Sequence, residues 1–508
     1  MPEKERLSLV YMPYSFMSPH IDVTLAYIQD QINNGNKVII LGCGGAKDIS
    51  CGFNIYGSSL KCQYCVKRNV DGLSALRGDY KWVDINDFKL PPLPQEITLR
   101  ILKAQSLEEI KKIQYQGSDI GYAIVSSLVS RFRTTEINDK KRQILIKLAN
   151  GYVKSFNAAE KTIQDNDIKE AFVFNGRLEL TRGFFRSCEK QQIDCNILEV
   201  SQVGCKTLKY KNALPLDLDY TESLIQSLWD TASTEQKTKA KEFYEKKAVG
   251  IAIHDKVYTT GQQKDLLPAN WNDNEKNLVI FGSSADEFFA IGPDWEFPFY
   301  KNQFDGLKRI AEALSGSEIK IYFRMHPNLI MLKDSEISSE FKLSDSYPNF
   351  HVIAPEDKVS TYALMNGAEK VITFGSSVGV EAAYWNKDSI LAGNSMYAHL
   401  EGIIRPNSHQ ELVNEIYKPP SKIVSKMGAL MYSNFLLSRG HDMQGLEITK
   451  STVTFKGKQQ EQDFPIERAF FKLLNIKENL KDWNTFSIAI RDLLPIRFKR
   501  FLCKFIQH

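Results

Sequence analysis

Short, continuous apolar runs recur along this chain. Each is followed by a stretch with helical spacing and then a turn, and that alternation narrows the fold more than any other feature. Leu7–Tyr11 is the first such run, and His20–Asn33 follows with Ile21, Leu25, Ile28 and Ile32 on one helical face. Asn34-Gly35 stops that pattern, and Val38–Leu41 is the next apolar run. A strand apolar at every position is buried on both faces, as parallel strands are. Strand, helix, glycine, strand is the βαβ unit of a doubly wound α/β sheet. A further run falls at Ala171–Phe174 and a strand near Ile193–Val200, with helical patterns at 120–132, 140–165 and 221–247. A second series holds Leu278–Phe281, Ile319–Phe323, Val371–Phe374 and Ile390–Leu391. Helical patterns at Gln303–Leu314, Thr361–Met365 and Val378–Trp385 separate its strands.

The series divide the chain into an N-terminal α/β domain at 1–255, a polar linker at 256–277, a second α/β domain at 278–430 and an extension at 431–508. Residues 42–95 read as an irregular, Cys-containing insertion in the first domain. The two halves share only their alternating class. With 508 residues, 43% hydrophobic and 25% charged, wholesale disorder is excluded and each domain can bury a core. Lys and Arg number 65 against 61 Asp and Glu, too balanced for a nucleic-acid binder. The whole surplus of +4 sits in the last 18 positions, where Arg491, Arg497, Lys499, Arg500 and Lys504 face Asp492 alone. The first residues carry no legible secretory leader, so a cytoplasmic location is expected.

Three strand ends carry ligand chemistry. After Val371–Phe374, Gly375 permits a tight turn and Ser376 and Ser377 fall at the start of the next helix, where unpaired N–H groups and the dipole attract anions. Gly379 leaves room for a ligand. Glu381, one turn on, can accept bonds from ribose or sugar hydroxyls. The alternative is a simple cap at Ser377 with Glu381 in the first turn. After Ile319–Phe323 come Arg324 and then His326, which Pro327 biases toward extended geometry. His326 can bond a phosphate oxygen or pass it a proton; otherwise it is a satisfied loop histidine. The third end is Ser283-Ser284-Ala285-Asp286-Glu287.

A His-Pro pair followed tens of residues later by a Ser-Ser pair resembles the paired motifs of bacterial polysialyltransferases. Gly375–Trp385, with Lys387–Leu391 behind it, resembles capsule and lipopolysaccharide glycosyltransferases of the GT-B type, including Kdo transferases and glycerophosphate polymerases. Ser283–Glu287, Gln303, Ser360–Leu364, Phe174–Arg177 and the Cys51…Cys62-x-x-Cys65 spacing extend the likeness over most of residues 8–400. The resemblance implies two Rossmann-like domains facing across a cleft. The C-terminal domain would hold a nucleotide-sugar through Ser283, Ser284, Arg324, His326, Gly375, Ser376, Ser377 and Glu381, and the N-terminal domain the glycan acceptor. No catalytic metal is implied. Candidates for the base are His20, Asp119, Asp286 and Glu287, and no motif singles one out. Rival activities are polyol-phosphate transfer, nucleotide-sugar 2-epimerisation, and a non-catalytic assembly role on the same scaffold.

Two features lie outside that scheme. Cys43, Cys51, Cys62 and Cys65 place four thiols within a short span, which fits a structural zinc site; a redox pair or unrelated thiols are the alternatives. Phe498, Phe501, Leu502 and Phe505 recur at helical spacing beside Arg497, Arg500 and Lys504. An aromatic face with basic flanks fits a helix lying on an anionic membrane, or one packed back on the first domain. The expectation is peripheral attachment to the inner face of the cytoplasmic membrane through 491–508, near a lipid-linked acceptor.

Overall fold

A computed structural model describes residues 6–15, 19–45, 51–201, 206–249, 251, 261–284, 288–327, 329, 334–448 and 453–456. Asp286, Glu287 and the segment 491–508 lie outside the described residues. The chain forms two compact units. The first runs to Asp217 and regains the chain at Phe289–Ile291 and from Arg439; the second holds Leu218–Phe288 and Gly292–Ser438.

The first unit is built on six strands: β1 (Leu7–Met12), β2 (Lys37–Gly42), β3 (Lys81–Asp84), β4 (Glu170–Phe174), β5 (Asp194–Ser201) and β6 (Lys206–Lys211). Their order is β3-β2-β1-β4-β5-β6, all parallel except the last pair. Its helices include α1 (His20–Asn33), α2 (Ser59–Ser74), α3 (Ile120–Phe132), α4 (Asp139–Gln164) and α5 (Glu179–Lys190). Segment 42–95 is not irregular throughout: α2 is part of the crossover that returns the chain to β3. The apolar pattern misses α2 because that helix buries Lys61, Arg68 and Asn69 rather than an apolar stripe. The described chain from Arg439 belongs to this unit. His441 and Thr207 exchange backbone bonds of 2.9 and 3.0 Å. The hairpin β13 (Leu446–Ile448) and β14 (Val453–Phe455) lays Phe455 and Met443 into the core beside Ile21 and Leu25 of α1.

The second sheet has β7 (Lys276–Phe281), β8 (Ile319–Arg324), β9 (Phe350–Ile353), β10 (Lys370–Thr373), β11 (Asp388–Leu391) and β12 (Ile403–Ile404), in the order β12-β11-β10-β7-β8-β9 and wholly parallel. Counted within each unit, both sheets run 3-2-1-4-5-6, the doubly wound Rossmann order. So the halves share more than alternation, although no sequence repeat announces it. The reversal of winding falls between β1 and β4 in the first sheet and between β7 and β10 in the second.

The second unit adds α6 (Leu218–Asp230), α7 (Thr234–Ala248), α8 (Gln303–Ala313), α9 (Thr361–Gly367), α10 (Val378–Tyr384) and α11 (Met427–Ser438). The pattern at 221–247 reads as one helix and is two. Ser233 ends the break with a capping box: its hydroxyl accepts from the Gln236 amide at 3.2 Å, and the Gln236 side chain accepts from the Ser233 amide at 2.8 Å, satisfying two orphan donors at once. Both helices pack on α11. Tyr244 donates to the Ala429 carbonyl (2.8 Å), Ser433 to Ala240 (2.9 Å) and Asn434 to Leu228 (3.1 Å). That packing places residues 218–248 with the second unit.

Candidate functional site

In open α/β sheets, ligands bind beyond the carboxyl ends of the strands where the winding reverses. In the second unit those ends belong to β7 and β10, with the end of β8 next to β7. A cavity of about 250 Å³ opens there, lined wholly by the second unit. Phe281, Gly282 and Ser283 enter it from β7, Arg324 to Pro327 from β8, and Gly375 to Val378 from the turn after β10.

The turn is shaped by Gly375, whose φ of +124° suits glycine alone among the common residues. A Cβ there would stand 2.8 Å from the Asn394 carbonyl and 3.6 Å from the Ser283 hydroxyl. That hydroxyl is buried and has no hydrogen-bond partner among the described residues, while the Ser283 amide donates to Gln303 at 2.8 Å. Ser284 is buried in the same turn. Ser376 accepts from the Val378 amide at 3.4 Å. Ser377 makes no capping bond to α10; its hydroxyl reaches Glu381 at 3.4 Å. Ser377 thus stands at the N-cap position of α10 with Glu381 in the first turn, as the cap alternative has it, but without the side-chain bond of a cap. Gly379 serves packing rather than ligand approach: a Cβ there would stand 2.4 Å from the Tyr397 hydroxyl.

Glu381 is buried and crowded with donors. Lys247, from the end of α7, reaches it at 2.5 Å and the Tyr362 hydroxyl at 2.8 Å. Burial and the adjacent carboxylate hold the Tyr362 phenol well above its usual range. His326 borders the cavity just past β8, and its carbonyl accepts from the Leu329 amide at 3.0 Å. Arg324 also borders it, but its guanidinium donates to the carbonyls of Ala354 and Asp357, pinning the turn after β9. Phe288 stacks on Trp295, centroids 4.7 Å apart, to form an apolar wall. Aromatic walls with a few convergent polar groups are the usual make-up of a small-molecule site.

The first unit has its own polar cluster at the carboxyl edge of its sheet. His20 opens α1 with its ring 4.1 Å from that of Phe174, flanked by Phe53 and Tyr14. Burial pushes its pKa down to about 3, so the imidazole is neutral and a poor proton acceptor. Asp119 is held by Arg182 and Arg186, each with two bonds of 2.5–3.2 Å, and these cations outweigh its burial and keep the carboxyl below the usual range. That ion pair ties α5 to the start of α3.

The sequence reading overlooked two carboxylates here. Glu179 is fully buried and accepts from the Tyr14 hydroxyl (3.0 Å), the Gly52 amide (2.7 Å) and Ser127; burial raises its pKa. Glu199, at the end of β5, accepts from Asn175 at 2.7 Å, and burial pushes it up to about 7. Asn175 takes φ +68°, one signal of a constrained strand end.

Cys43, Cys51, Cys62 and Cys65 are all reduced. Burial pushes the Cys51 thiol well up, with smaller effects from Glu179 and the other three thiols. Cys62 accepts from Asn54 at 3.1 Å. Among the described residues no group of three or more His, Cys, Asp or Glu side chains is gathered as a metal ion requires. The four thiols thus do not form a zinc tetrahedron in this arrangement. Among the described residues, no helix is long and apolar enough to cross a membrane.

The fold is that of a protein of two Rossmann-type α/β domains, with a cavity beside the winding reversal of the second. No protein-family model and no curated protein matches the chain. Among solved structures it is similar to a β-Kdo 2,4-transferase, KpsC of Thermosulfurimonas dismutans, at 12% identity over 52% of this chain and 79% of that one, TM-score 0.35. The β-Kdo 2,7-transferase KpsC structure from the same organism matches at 14% identity over 60% and 85%, TM-score 0.32. A putative UDP-N-acetylglucosamine 2-epimerase of Listeria monocytogenes matches at 10% identity over 94% and 97%, TM-score 0.25. At such distances the class rests on the strand orders, not on these neighbours.

Proposed function

We propose that the protein is a glycosyltransferase of bacterial surface-polysaccharide synthesis, moving a sugar from a nucleotide-sugar to a glycan acceptor, and that the second unit's cavity holds the nucleotide. One observation carries the reading: Ser283, His326 and the Gly375–Ser377 turn, from three separate strand ends, meet around a single cavity at the winding reversal. A buried hydroxyl without a partner and a wall of stacked aromatics suit a phosphate beside a base or sugar. The leaving phosphate would be neutralised by polar groups and Lys247 in place, at no cost in reorganisation. The basic, aromatic sequence of 491–508 supports an acceptor carried at an anionic membrane surface.

The test is a thermal-shift and calorimetric screen of UDP, CMP, GDP and CDP-glycerol. One of these should stabilise the protein clearly, and its sugar conjugate should be consumed only when a glycan acceptor is added. Stabilisation by none would end the transferase reading. Conversion of a UDP-sugar without any acceptor would replace it with epimerisation, and turnover of CDP-glycerol with polyol-phosphate transfer.

A further inference from the structure

One cation in the cavity has no place in the motifs described above. Lys247 lies at the last turn of α7, a helix of mostly exposed polar residues. Its side chain is 26% exposed, lines the cavity, and among the described residues has Glu381 as its one partner. An ammonium carries three N–H donors, so one is spent on Glu381 and two remain for solvent or a ligand.

Glu381 shows the complementary state. Its side chain is 4% exposed. One carboxylate oxygen takes Lys247 and Ser377, and the other takes Tyr362. A carboxylate offers about four lone-pair sites, so fixed donors of the same unit occupy three. That leaves little for a ribose or sugar hydroxyl, the part its place after the Ser-Ser pair suggests. It is better arranged to fix its three donors than to meet a ligand. Neutralising it alone would leave the Lys247 cation uncompensated in a cavity that Ser283 also lines, whose buried hydroxyl has no partner among the described residues.

We propose that Lys247 is the anion-selecting residue of this cavity and Glu381 its positioning residue. The required feature of the ligand is then a phosphate group, not a neutral sugar face. This rests on the nucleotide-sugar reading and sharpens it: Lys247 engages the phosphate, and Glu381, held by Tyr362 and Ser377, keeps the ammonium from swinging into solvent. A lysine acts here as a point charge, so an arginine should partly replace it.

The experiment compares wild type, Lys247→Met, Lys247→Arg and Glu381→Gln by calorimetry, each first shown folded by its unfolding transition. Probes are CMP and UDP, the matching nucleosides, their 2′- and 3′-deoxy nucleotides, and inorganic pyrophosphate. Lys247→Met should weaken the bound nucleotide about tenfold or more, the loss of roughly one charge-assisted contact, and leave the nucleoside unchanged. Lys247→Arg should recover part of the loss. Glu381→Gln removes a negative charge, so simple electrostatics would tighten anion binding. Loss of positioning should weaken it instead. In wild type, the deoxy nucleotides should bind like the ribonucleotide.

Unchanged nucleotide affinity in Lys247→Met, tighter binding in Glu381→Gln, or a wild-type penalty for deoxy forms that Glu381→Gln abolishes would each overturn the assignment while leaving the nucleotide reading intact. If no nucleotide binds wild type, pyrophosphate decides. Binding lost in Lys247→Met upholds the anion site without the nucleotide, and binding equal in both, or absent from both, refutes it.

Discussion

Replacing Gly375 by alanine tests whether the turn after β10 shapes the cavity. Two costs add. At φ +124° a residue with a Cβ sits in a sparsely populated region, a strain of about 1–3 kcal/mol. The new methyl would also stand 2.8 Å from the Asn394 carbonyl, a fixed backbone atom, and overpacking of that kind costs about 1–3 kcal/mol more. The sum, about 2–6 kcal/mol, corresponds to a fall in the second unit's melting temperature of roughly 4–24 °C. Gly316 provides the control. Its φ is +75° and a Cβ there meets nothing within 4 Å, so Gly316→Ala should cost only the left-handed penalty of about 1–2 kcal/mol. Because the Gly375 methyl would also lie 3.6 Å from the Ser283 hydroxyl, nucleotide affinity should fall in Gly375→Ala and stay unchanged in Gly316→Ala. Calorimetric unfolding and ligand titration of both variants supply the readout. Equal melting temperatures with equal affinities would show that the turn does not depend on glycine and that the cavity is not built on it.

Two predictions concern the first unit. Arg182 is 1% exposed and holds Asp119 and the Ile291 carbonyl together; Arg182→Ala should cost about 3–5 kcal/mol in denaturant unfolding, and a loss under 1 kcal/mol would refute its role as a brace. Because its two cations depress the Asp119 pKa, the stabilisation Asp119 supplies is present above the ordinary carboxylate range and is lost only as pH falls well below it. Glu199 works the other way. Raised to about 7 by burial, it favours the folded state below pH 4 to 5, and that contribution fades as pH rises through 7, by at most about 3 kcal/mol. Glu199→Gln should flatten stability between pH 5 and 8; an unchanged slope would mean that another group titrates there.

Strand ends were legible in the sequence because the buried parallel strands are mostly apolar and stop abruptly. Phe281, Arg324 and Phe374 could thus be placed at the sheet edge, and the polar residues after them at a possible ligand face. Lys247 and Tyr362 were not. Lys247 meets Glu381 across 134 positions, from a polar helix without a motif, and the packing of α7 on α11 and on Tyr384 of α10 brings it there. Helix α2 was hidden because its buried face carries Lys61, Arg68 and Asn69. Glu179 sits in the first turn of a helix, where acidic residues are common for local reasons, so nothing in the sequence marked it as buried. The shared strand order of the two sheets is a property of connections, which composition and periodicity do not record.

The interruption of the first unit has a consequence for synthesis. Its last described pieces, the His441–Thr207 backbone pair and the hairpin that seats Phe455 against α1, follow the last described residue of the second unit, Ser438, in the chain. At about 5–20 residues per second, the ribosome needs roughly 10–45 s to pass from Leu218 to Ser438. During that interval the nascent chain carries β6 without its partner at Thr207, and an apolar patch on α1 that nothing covers. The stretch Leu218–Ser438 of the second unit, interrupted only by Phe289–Ile291, is made before these pieces and can close its sheet first. The order of maturation on the ribosome is then the reverse of the order of the domains, and the first domain is the one for which a holding chaperone would matter.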